Sequence, residues 1–321
     1  MSCRLLLYPP FLRYMKNSSS GFLVGLALAG AGSILFSAKA IVVKLSYRYG
    51  VDAATLIALR MLLSLPFFAV ALVWSSRGAP RLAGADHWRL VVVGLLGYYA
   101  ASWLDFLGLQ FVSAALERLI LYLTPTLVLF FSVVFLGKRV ARADWVALAL
   151  AYSGILLVFA NDVSFDGGET AWGAFLVFGA AASYAAYLVI SGEMVARIGA
   201  IRLVAYAMCV ATVAVLLQWA ALNPPESIIQ PAPVWWLSLV NAVLCTVLPV
   251  FATMAAVARL GAARTSLAAM LGPVATIALA WFFLDEPITL WQLGGTALVL
   301  TGVAVLTRQS LSRSARSTSK E

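Results

Sequence analysis

Five ionisable residues interrupt the long apolar stretches of this sequence: Lys39, Arg60, Asp105, Glu117 and Arg118. A charged side chain inside a membrane costs about 2.5–3.5 kcal/mol on insertion scales, so such residues are functional candidates by default. Together they can bind a charged solute, accept a proton or pair with one another. No motif typical of bond-breaking catalysis accompanies them. The pattern therefore predicts binding and transfer of a solute, and not an enzymatic reaction.

Two polar stripes are predicted to position these charges. Tyr98, Ser102 and Asp105 are spaced by four and three residues, which places them on one face of a helix. Glu117 is followed by Thr124 at a spacing of two helical turns, which predicts a second stripe on the next helix. We expect the two stripes to line a polar vestibule.

The vestibule is predicted to carry charges of both signs. Lys39 or Arg118 would bind a carboxylate, and Asp105 or Glu117 would bind an ammonium group or accept a coupling proton. This mixture of charges suits a zwitterion. The predicted substrate-binding residues are Lys39, Tyr98, Ser102, Trp103, Asp105, Glu117 and Arg118.

A purely structural interpretation of the same charges stays open. Lys39, Arg60 and Arg118 would pair with Asp105 and Glu117 and lock the first four helices together. We favour a structural role for Arg60 because it lies two turns from the predicted membrane surface, where a long side chain can snorkel into water.

A different solute is also conceivable. Asp105, Glu117, Trp103 and Tyr98 would form a cation–π site for an organic cation, which makes drug efflux an alternative function. The cations of Lys39 and Arg118 argue against an organic cation as the solute.

The whole chain has the composition of a membrane protein. Of its 321 residues 63% are hydrophobic and 11% are charged, and the mean hydropathy is +0.97. A soluble domain carries about a quarter charged residues. Ten apolar runs are long enough to cross a bilayer and lack the regular charged faces of soluble helices. They lie at about 22–43, 53–74, 88–110, 114–136, 144–160, 171–191, 200–221, 234–257, 263–284 and 290–307.

The basic net charge of +9 does not indicate a nucleic-acid partner, because the basic residues lie in short loops and tails between the apolar runs. Cys3, Cys209 and Cys245 show no metal-ligand or disulfide spacing, and His87 is the single histidine. We predict neither a metal nor a cofactor.

An internal repeat organises the chain. The segment 113–159 recurs without a gap as 261–307, so that Pro125 corresponds to Pro273 at an offset of 148 residues. A proline inside a helix removes a backbone hydrogen bond and kinks the helix, so both prolines are hinge candidates. Lys138-Arg139 in the first copy corresponds to Glu286-Pro287 in the second, after Asp285. Opposite charge at matched positions predicts two five-helix repeats that face opposite ways.

The distribution of lysine and arginine predicts that both termini are cytoplasmic. We expect a cytoplasmic segment at 1–20, the repeats at 21–161 and 169–308, and a cytoplasmic tail at 309–321. Lys44 falls on the outer side and is interpreted as an interfacial anchor, whereas Asp285 and Glu286 are interpreted as topology signals. Residues 1–20 are not typical of a cleaved signal. Met15 is the expected natural start, with residues 1–14 as an upstream extension, because Met15-Lys16-Asn17 leads straight into the first apolar run.

Several short motifs, taken in order, resemble the drug/metabolite transporter superfamily, in particular its EamA-type ten-helix transporters. The chain departs from the usual pattern at Phe36-Ser37-Ala38-Lys39, where the family often has Trp-Gly-x-Asn, and at Gly137-Lys138, where Gly-Glu is usual. Lys39 thus places a cation where the family has a neutral amide. The motifs that carry the resemblance are Ile41-Val42-Val43-Lys44, Leu59-Arg60, Leu107-Gly108-Leu109, Ser113-Ala114, Thr124-Pro125, Leu284-Asp285-Glu286-Pro287 and Gly302.

The resemblance implies export of a small metabolite, often an amino acid, through a central cavity between two five-helix halves of a bacterial-type inner membrane protein. Inverted repeats with a site between them are a common plan of secondary transporters. We therefore expect a secondary transporter that exports a small polar metabolite. A non-transporting membrane scaffold is the remaining alternative.

Overall fold

The computed structural model describes residues 19–80, 82–137, 146, 149, 150, 152–158, 168–260, 265 and 271–318, and the regular structure of these residues is helical. Residues 152–158 are one short helical stretch. The others are α1 (Ser19–Tyr47), α2 (Ala53–Ser76), α3 (Gly84–Gly108, with a π-helical turn at Leu95–Ala100), α4 (Ala114–Leu121), α5 (Thr124–Leu136), α6 (Gly168–Ile198), α7 (Ala200–Leu222), α8 (Ala232–Ala242, the π-helical turn Val243–Val247 and Leu248–Leu260), α9 (Leu271–Leu284) and α10 (Leu290–Thr318).

Seven of the described helical stretches are long and apolar enough to cross a membrane: α1, α2, α3, α4 with α5, α6, α7 and α8. Helix α9 is apolar but shorter. The prediction of a helical membrane protein is confirmed in this form. The number of ten spans and the inverted arrangement stay predictions, and Met15, Lys138 and Arg139 lie outside the described residues.

Large apolar side chains cover the outside of the bundle. Trp74 is 70% exposed, Phe135 71% and Leu290 85%. Soluble proteins rarely expose so much apolar surface, whereas lipid tails solvate it. The bundle therefore presents to its surroundings the surface expected of a protein in a bilayer.

The first half of the chain (residues 19–158) packs closely against the second half (168–318), and the packed core includes α1, α2, α3 and α7. Leu56, Ile57 and Leu59 of α2 and Leu203 of α7 are at most 1% exposed. Since lipid tails are as apolar as leucine, it is close packing that holds such helices together. This packing fixes α2, which carries Arg60, against the second half.

Helices α3 and α6 approach each other at two glycines. A Cβ atom at Gly108 would lie 2.8 Å from the backbone oxygen of Gly173, and one at Gly173 would lie 3.0 Å from that of Gly108. Only residues without a side chain permit this approach. The contact fixes the polar face of α3 against the second half.

The structure places Pro125 differently from the sequence expectation of a mid-helix kink. The helix is interrupted between α4 and α5, and Pro125 lies in the first turn of α5. Proline has no N–H group to bond the carbonyl of Leu121 four residues earlier. The hydroxyl of Thr124 donates to that carbonyl instead, at 2.6 Å. Pro273 is the third residue of the described part of α9 and is buried.

Candidate substrate-binding site

A cavity of about 340 Å³ lies between the two halves of the chain. Its volume falls in the range of small-molecule sites. Among the described residues, the charged side chains that line it all come from the first half: Lys39, Arg60, Asp105 and Arg118. The second half contributes Ala180, Tyr184, Met208, Thr246 and Val250.

Lys39 is shared by two carboxylates. Its Nζ atom donates a hydrogen bond to Asp105 Oδ2, and Glu117 Oε1 lies 3.1 Å away, close enough for an ion pair but without hydrogen-bond geometry. The three residues, here called the Lys39 cluster, are at most 5% exposed. Glu117 is not among the residues that line the cavity. One cation and two carboxylates give the cluster one negative charge.

Three helices bring the cluster together. Lys39 lies in α1, Asp105 near the end of α3 and Glu117 in the first turn of α4. Ser113 Oγ accepts a hydrogen bond from the backbone N–H of Leu116 at 3.1 Å and thereby caps α4. The interpretation that charges join the first four helices therefore fits Lys39.

Arg60 faces the cavity and not the membrane surface. Its Nη2 atom donates to Ser102 Oγ at 2.7 Å, and its guanidinium carbon lies 4.8 Å from the centroid of the Phe106 ring. Arg60 is 6% exposed, so the expectation that it snorkels into water is wrong. The hydroxyl and the ring supply polar contacts inside the bundle, so the side chain has no need to reach water.

The guanidinium of Arg118 lies close to two aromatic rings. Its guanidinium carbon is 5.2 Å from the Phe36 ring centroid and 5.3 Å from that of Tyr122. Arg118 is 6% exposed, and no carboxylate of the described residues lies within 4 Å of it. Guanidinium groups stack well on ring faces, which leaves their in-plane N–H groups to bind a planar anion.

The predicted polar face of α3 lines the cavity through Tyr98, Ser102 and Asp105. The hydroxyl of Tyr98 is 3.1 Å from that of Tyr187 in the second half. Trp103 is not among the lining residues and packs against the buried core. It follows Ser102 directly, and successive residues of a helix point about 100° apart.

At the Tyr47 end of the bundle, where α1 ends and α4 begins, a carboxylate of the second half joins two elements of the first. Glu286 Oε1 lies 2.7 Å from Lys44 Nζ, and the Glu286 carboxylate accepts from the backbone N–H of Ala114 at 3.2–3.3 Å. Lys44 also donates to the carbonyl of Val112 at 2.9 Å. The carboxylate thus caps α4, the helix that carries Glu117 and Arg118.

Two further hydrogen bonds belong to the Tyr47 end. Arg48 Nη2 donates to the carbonyl of Leu284 at 3.0 Å, and the Tyr47 hydroxyl donates to that of Phe106 at 2.7 Å. At the opposite end Arg197 pairs with Asp86 at 2.8 Å, but the Arg197 side chain is 54% exposed. Exposed pairs contribute little to stability. The opposite end is also held by Arg202, which is 8% exposed and donates to the carbonyl of Pro80 at 3.0 Å.

The arrangement can bind a small charged molecule. In the described residues no group of three or more histidine, cysteine, aspartate or glutamate side chains could hold a metal ion. The charged groups at the cavity are three cations and two carboxylates, which leaves one positive charge in excess.

Comparison with protein families agrees with this architecture. The sequence pattern of the EamA-like transporter family matches residues 23–160 and again residues 171–308. The chain belongs to the EamA-like transporter family. The resemblance recognised in the sequence motifs is therefore confirmed, and the protein is a multi-pass membrane protein of a transporter family.

Bacterial relatives of this EamA-like protein carry the same general description. It is 31% identical over 283 residues to a protein of Bacillus subtilis (strain 168) named uncharacterized transporter YcbK, covering 85% of this chain and 90% of that protein. It is 26% identical to uncharacterized transporter YyaM of the same organism, covering 66% of this chain and 70% of the relative. A crystal structure of a protein with 19% identity superposes with a TM-score of 0.65 over 91% of this chain and 99% of the other, which shows the same fold.

The roles of Lys44 and Glu286 were not predicted from the sequence. Lys44 is not a simple interfacial anchor, and Glu286 does more than mark topology, because the two side chains meet across the halves. Their separation of 242 residues hides the pair from any local pattern. The signal that was available is Lys44 itself, since a lysine on the predicted outer side departs from the charge distribution of the other loops.

Replacing Gly272 by alanine tests the placement of Arg118 without removing its charge. A Cβ atom there would lie 2.5 Å from Arg118 Nη2 and 2.6 Å from the Tyr122 hydroxyl. Both are ends of flexible side chains, so we expect the fold to survive while the guanidinium is displaced. Transport in proteoliposomes should fall several-fold with little change in melting temperature. The matched control is Gly192→Ala, because Gly192 has open space around it; equal transport by both variants would contradict the assigned position of Arg118.

Proposed function

We propose that this protein is a secondary transporter that exports a small polar metabolite, an amino acid or a relative, by alternating access between two inverted five-helix repeats. The observation that carries the proposal is the cavity between the two halves, lined by buried charges. Ionisable groups at membrane depth are typical of substrate pathways. The membership of a transporter family supports the same function.

The proposed topology places both termini in the cytoplasm of a bacterial-type inner membrane. The repeats are residues 21–161 and 169–308, with a cytoplasmic segment at 1–20 and a cytoplasmic tail at 309–321. On this topology the Tyr47 end faces outward. The excess of lysine and arginine on the other side supports the assignment.

Alternating access requires that the two ends open in turn. The contacts of Lys44 and Arg48 with the second half hold the Tyr47 end together, which supports a state closed to the outside. Pro125 and Pro273 are the proposed hinges. The break between α4 and α5 beside Pro125, bridged by a side-chain hydroxyl, offers one place where the helix can bend.

Flux through the purified protein tests the function directly. We expect proteoliposomes containing the protein to exchange at least one member of a panel of amino acids, their 2-oxo acids and organic cations, and empty liposomes to exchange none. The aromatic lining from Tyr98, Tyr122 and Tyr184 keeps organic cations in the panel as the second candidate class. Absence of flux across the whole panel would favour a scaffold over a transporter.

The Lys39 cluster is the proposed site of proton coupling, because either Asp105 or Glu117 can take up the proton that neutralises its extra negative charge. We expect Asp105→Asn and Glu117→Gln to retain substrate exchange at equal pH and to lose accumulation driven by a pH gradient. Glu226→Gln is the control, since Glu226 is exposed. Gradient-driven accumulation that persists in both cluster variants would limit the cluster to a structural role.

A further inference from the structure

The charges at the cavity discriminate between classes of substrate within the proposed function. A zwitterion needs a free cation for its carboxylate and a free carboxylate for its ammonium group. Both carboxylates of the site already share the cation of Lys39, through the hydrogen bond to Asp105 and the 3.1 Å contact with Glu117, while Asp105 Oδ1 and both oxygens of Glu117 have no hydrogen-bond partner among the described residues. Separating them from Lys39 would leave a buried charge without a partner, which is strongly unfavourable.

The two arginines at the cavity, unlike Lys39, have no carboxylate beside them among the described residues. Neither Arg60 nor Arg118 has a carboxylate within 4 Å among the described residues, although each is 6% exposed. Their Nε atoms lack hydrogen-bond partners in the same part of the structure. Arg60 has a hydroxyl and a ring as neighbours, and Arg118 has two rings. Buried cations are normally paired, so these two lack the anion that such a setting requires.

The geometry points to a small organic anion with one net negative charge, whose carboxylate binds Arg118 while Arg60 supplies a second cation at the same cavity. The inference rests on the proposed transport function and names its substrate class. One negative charge cancels the single positive charge in excess at the site, whereas a zwitterion leaves it in place. The Arg118 guanidinium lies over the rings of Phe36 and Tyr122. A guanidinium that packs on aromatic rings keeps its in-plane N–H groups for a carboxylate.

The remaining lining supports a compact anion with an apolar body. Tyr184, Met208 and Val250 of the second half lie on the same cavity, and its volume is about 340 Å³. The 2-oxo acids of branched or aromatic amino acids have this combination of one carboxylate and an apolar side chain. Within the general class of amino acids and their relatives, the site therefore selects the relatives that lack the ammonium group.

Two matched series separate charge from shape. The first is 4-methyl-2-oxopentanoate, leucine and isoamylamine, and the second is phenylpyruvate, phenylalanine and phenethylamine. Uptake of each radiolabelled compound is measured in proteoliposomes at equal pH on both sides. We expect the anion of each series to be taken up about tenfold or more faster than the zwitterion, because 1.4 kcal/mol of differential binding already gives tenfold. Equal or faster uptake of the amino acids would overturn the anion assignment while leaving transport itself intact.

Variants of the two arginines locate the anion. Arg118→Gln should abolish the preference for the oxo acids, and Arg118→Lys should restore it only in part, since lysine lacks the planar fork. Arg89→Gln serves as the control because Arg89 is exposed. The melting temperature of the detergent-purified protein, measured with phenylpyruvate, gives a readout that does not need flux: it should rise in the parent and in Arg89→Gln, but not in Arg118→Gln.

The outcomes separate the two proposals. A rise in melting temperature with the amines, or their preferred uptake, would overturn the anion assignment in favour of cation efflux. A preference for oxo acids that survives Arg118→Gln would overturn the role of Arg118. If no member of either series moves and none raises the melting temperature, the anion assignment fails, and absence of flux across the whole panel in addition would remove the transport proposal.

Discussion

Replacing Lys39 by methionine is expected to destabilise the folded protein by about 3–5 kcal/mol, the range measured when one partner of a buried ion pair is removed. The reason is that Lys39 is the cation that holds both Asp105 and Glu117. Those two residues are 4% and 1% exposed, so water cannot take over its role. The melting temperature in detergent, followed by size-exclusion chromatography, should fall by many degrees.

The neutral version of the Lys39 cluster is the matched control. Lys39→Met combined with Asp105→Asn and Glu117→Gln removes all three charges, and a neutral group of similar volume often equals or exceeds the stability of a buried ion cluster. We expect the triple variant to recover most of the lost melting temperature and to remain unable to couple flux to a pH gradient. A single Lys39→Met variant as stable as the parent would show that the two carboxylates do not depend on Lys39.

The sequence predicted those features that depend on local composition and spacing. Long apolar runs with few charges gave the helical membrane protein, and the spacing of Tyr98, Ser102 and Asp105 correctly predicted that they share one surface, since all three line the cavity. The starts of α2 and α4 also depend on local sequence. Asp52 accepts from the backbone N–H of Thr55, and Ser113 accepts from that of Leu116, as N-cap residues do.

The pairing of the buried charges could not be predicted, because it depends on how helices distant in sequence pack. Five charges in four spans allow several pairings of similar chemistry, and both a binding role and a locking role were consistent with them. The structure divides the roles by residue: Lys39 is engaged by both acids, whereas Arg60 and Arg118 contact a hydroxyl and aromatic rings. A mixed-sign site for a zwitterion was the natural expectation before that division was visible.

Reversing the charge of Lys44 is expected to open the Tyr47 end of the bundle. Lys44→Glu would place a second carboxylate beside Glu286, where the parent has a 2.7 Å ion pair with side chains only 24% and 17% exposed. Like charges at this separation repel, and partial burial weakens the screening. A shift of 1.4 kcal/mol changes a two-state population tenfold, so we expect the outward-open state to become about tenfold more populated.

Labelling of a cysteine in the cavity measures this population. Ala101 lines the cavity, so Ala101→Cys is introduced after Cys3, Cys209 and Cys245 have been replaced by serine. Labelling by a membrane-impermeant maleimide from the outer face of whole cells should be about tenfold faster in Lys44→Glu than in the parent. Arg197→Glu is the control, because it places a second carboxylate beside Asp86 in the exposed pair at the other end. We expect it not to accelerate labelling from the outer face.

The second charge reversal shows whether Glu286 acts only through Lys44. Lys44→Glu with Glu286→Lys restores an ion pair of opposite polarity, but a lysine cannot accept the backbone N–H of Ala114, and its charge opposes the positive end of α4. We therefore expect the double reversal to slow labelling only part of the way back to the parental rate. The labelling rate of Glu286→Gln, which loses the charge but keeps an acceptor for Ala114, should fall between those of the parent and Lys44→Glu.

Complete recovery in the double reversal would mean that the cap on α4 contributes nothing to closure, and no recovery would mean that Lys44 and Glu286 do not act as a pair. Partial recovery would mean that closure of the Tyr47 end depends on α4, the helix that carries Arg118. Opening this end and releasing the substrate would then be one movement.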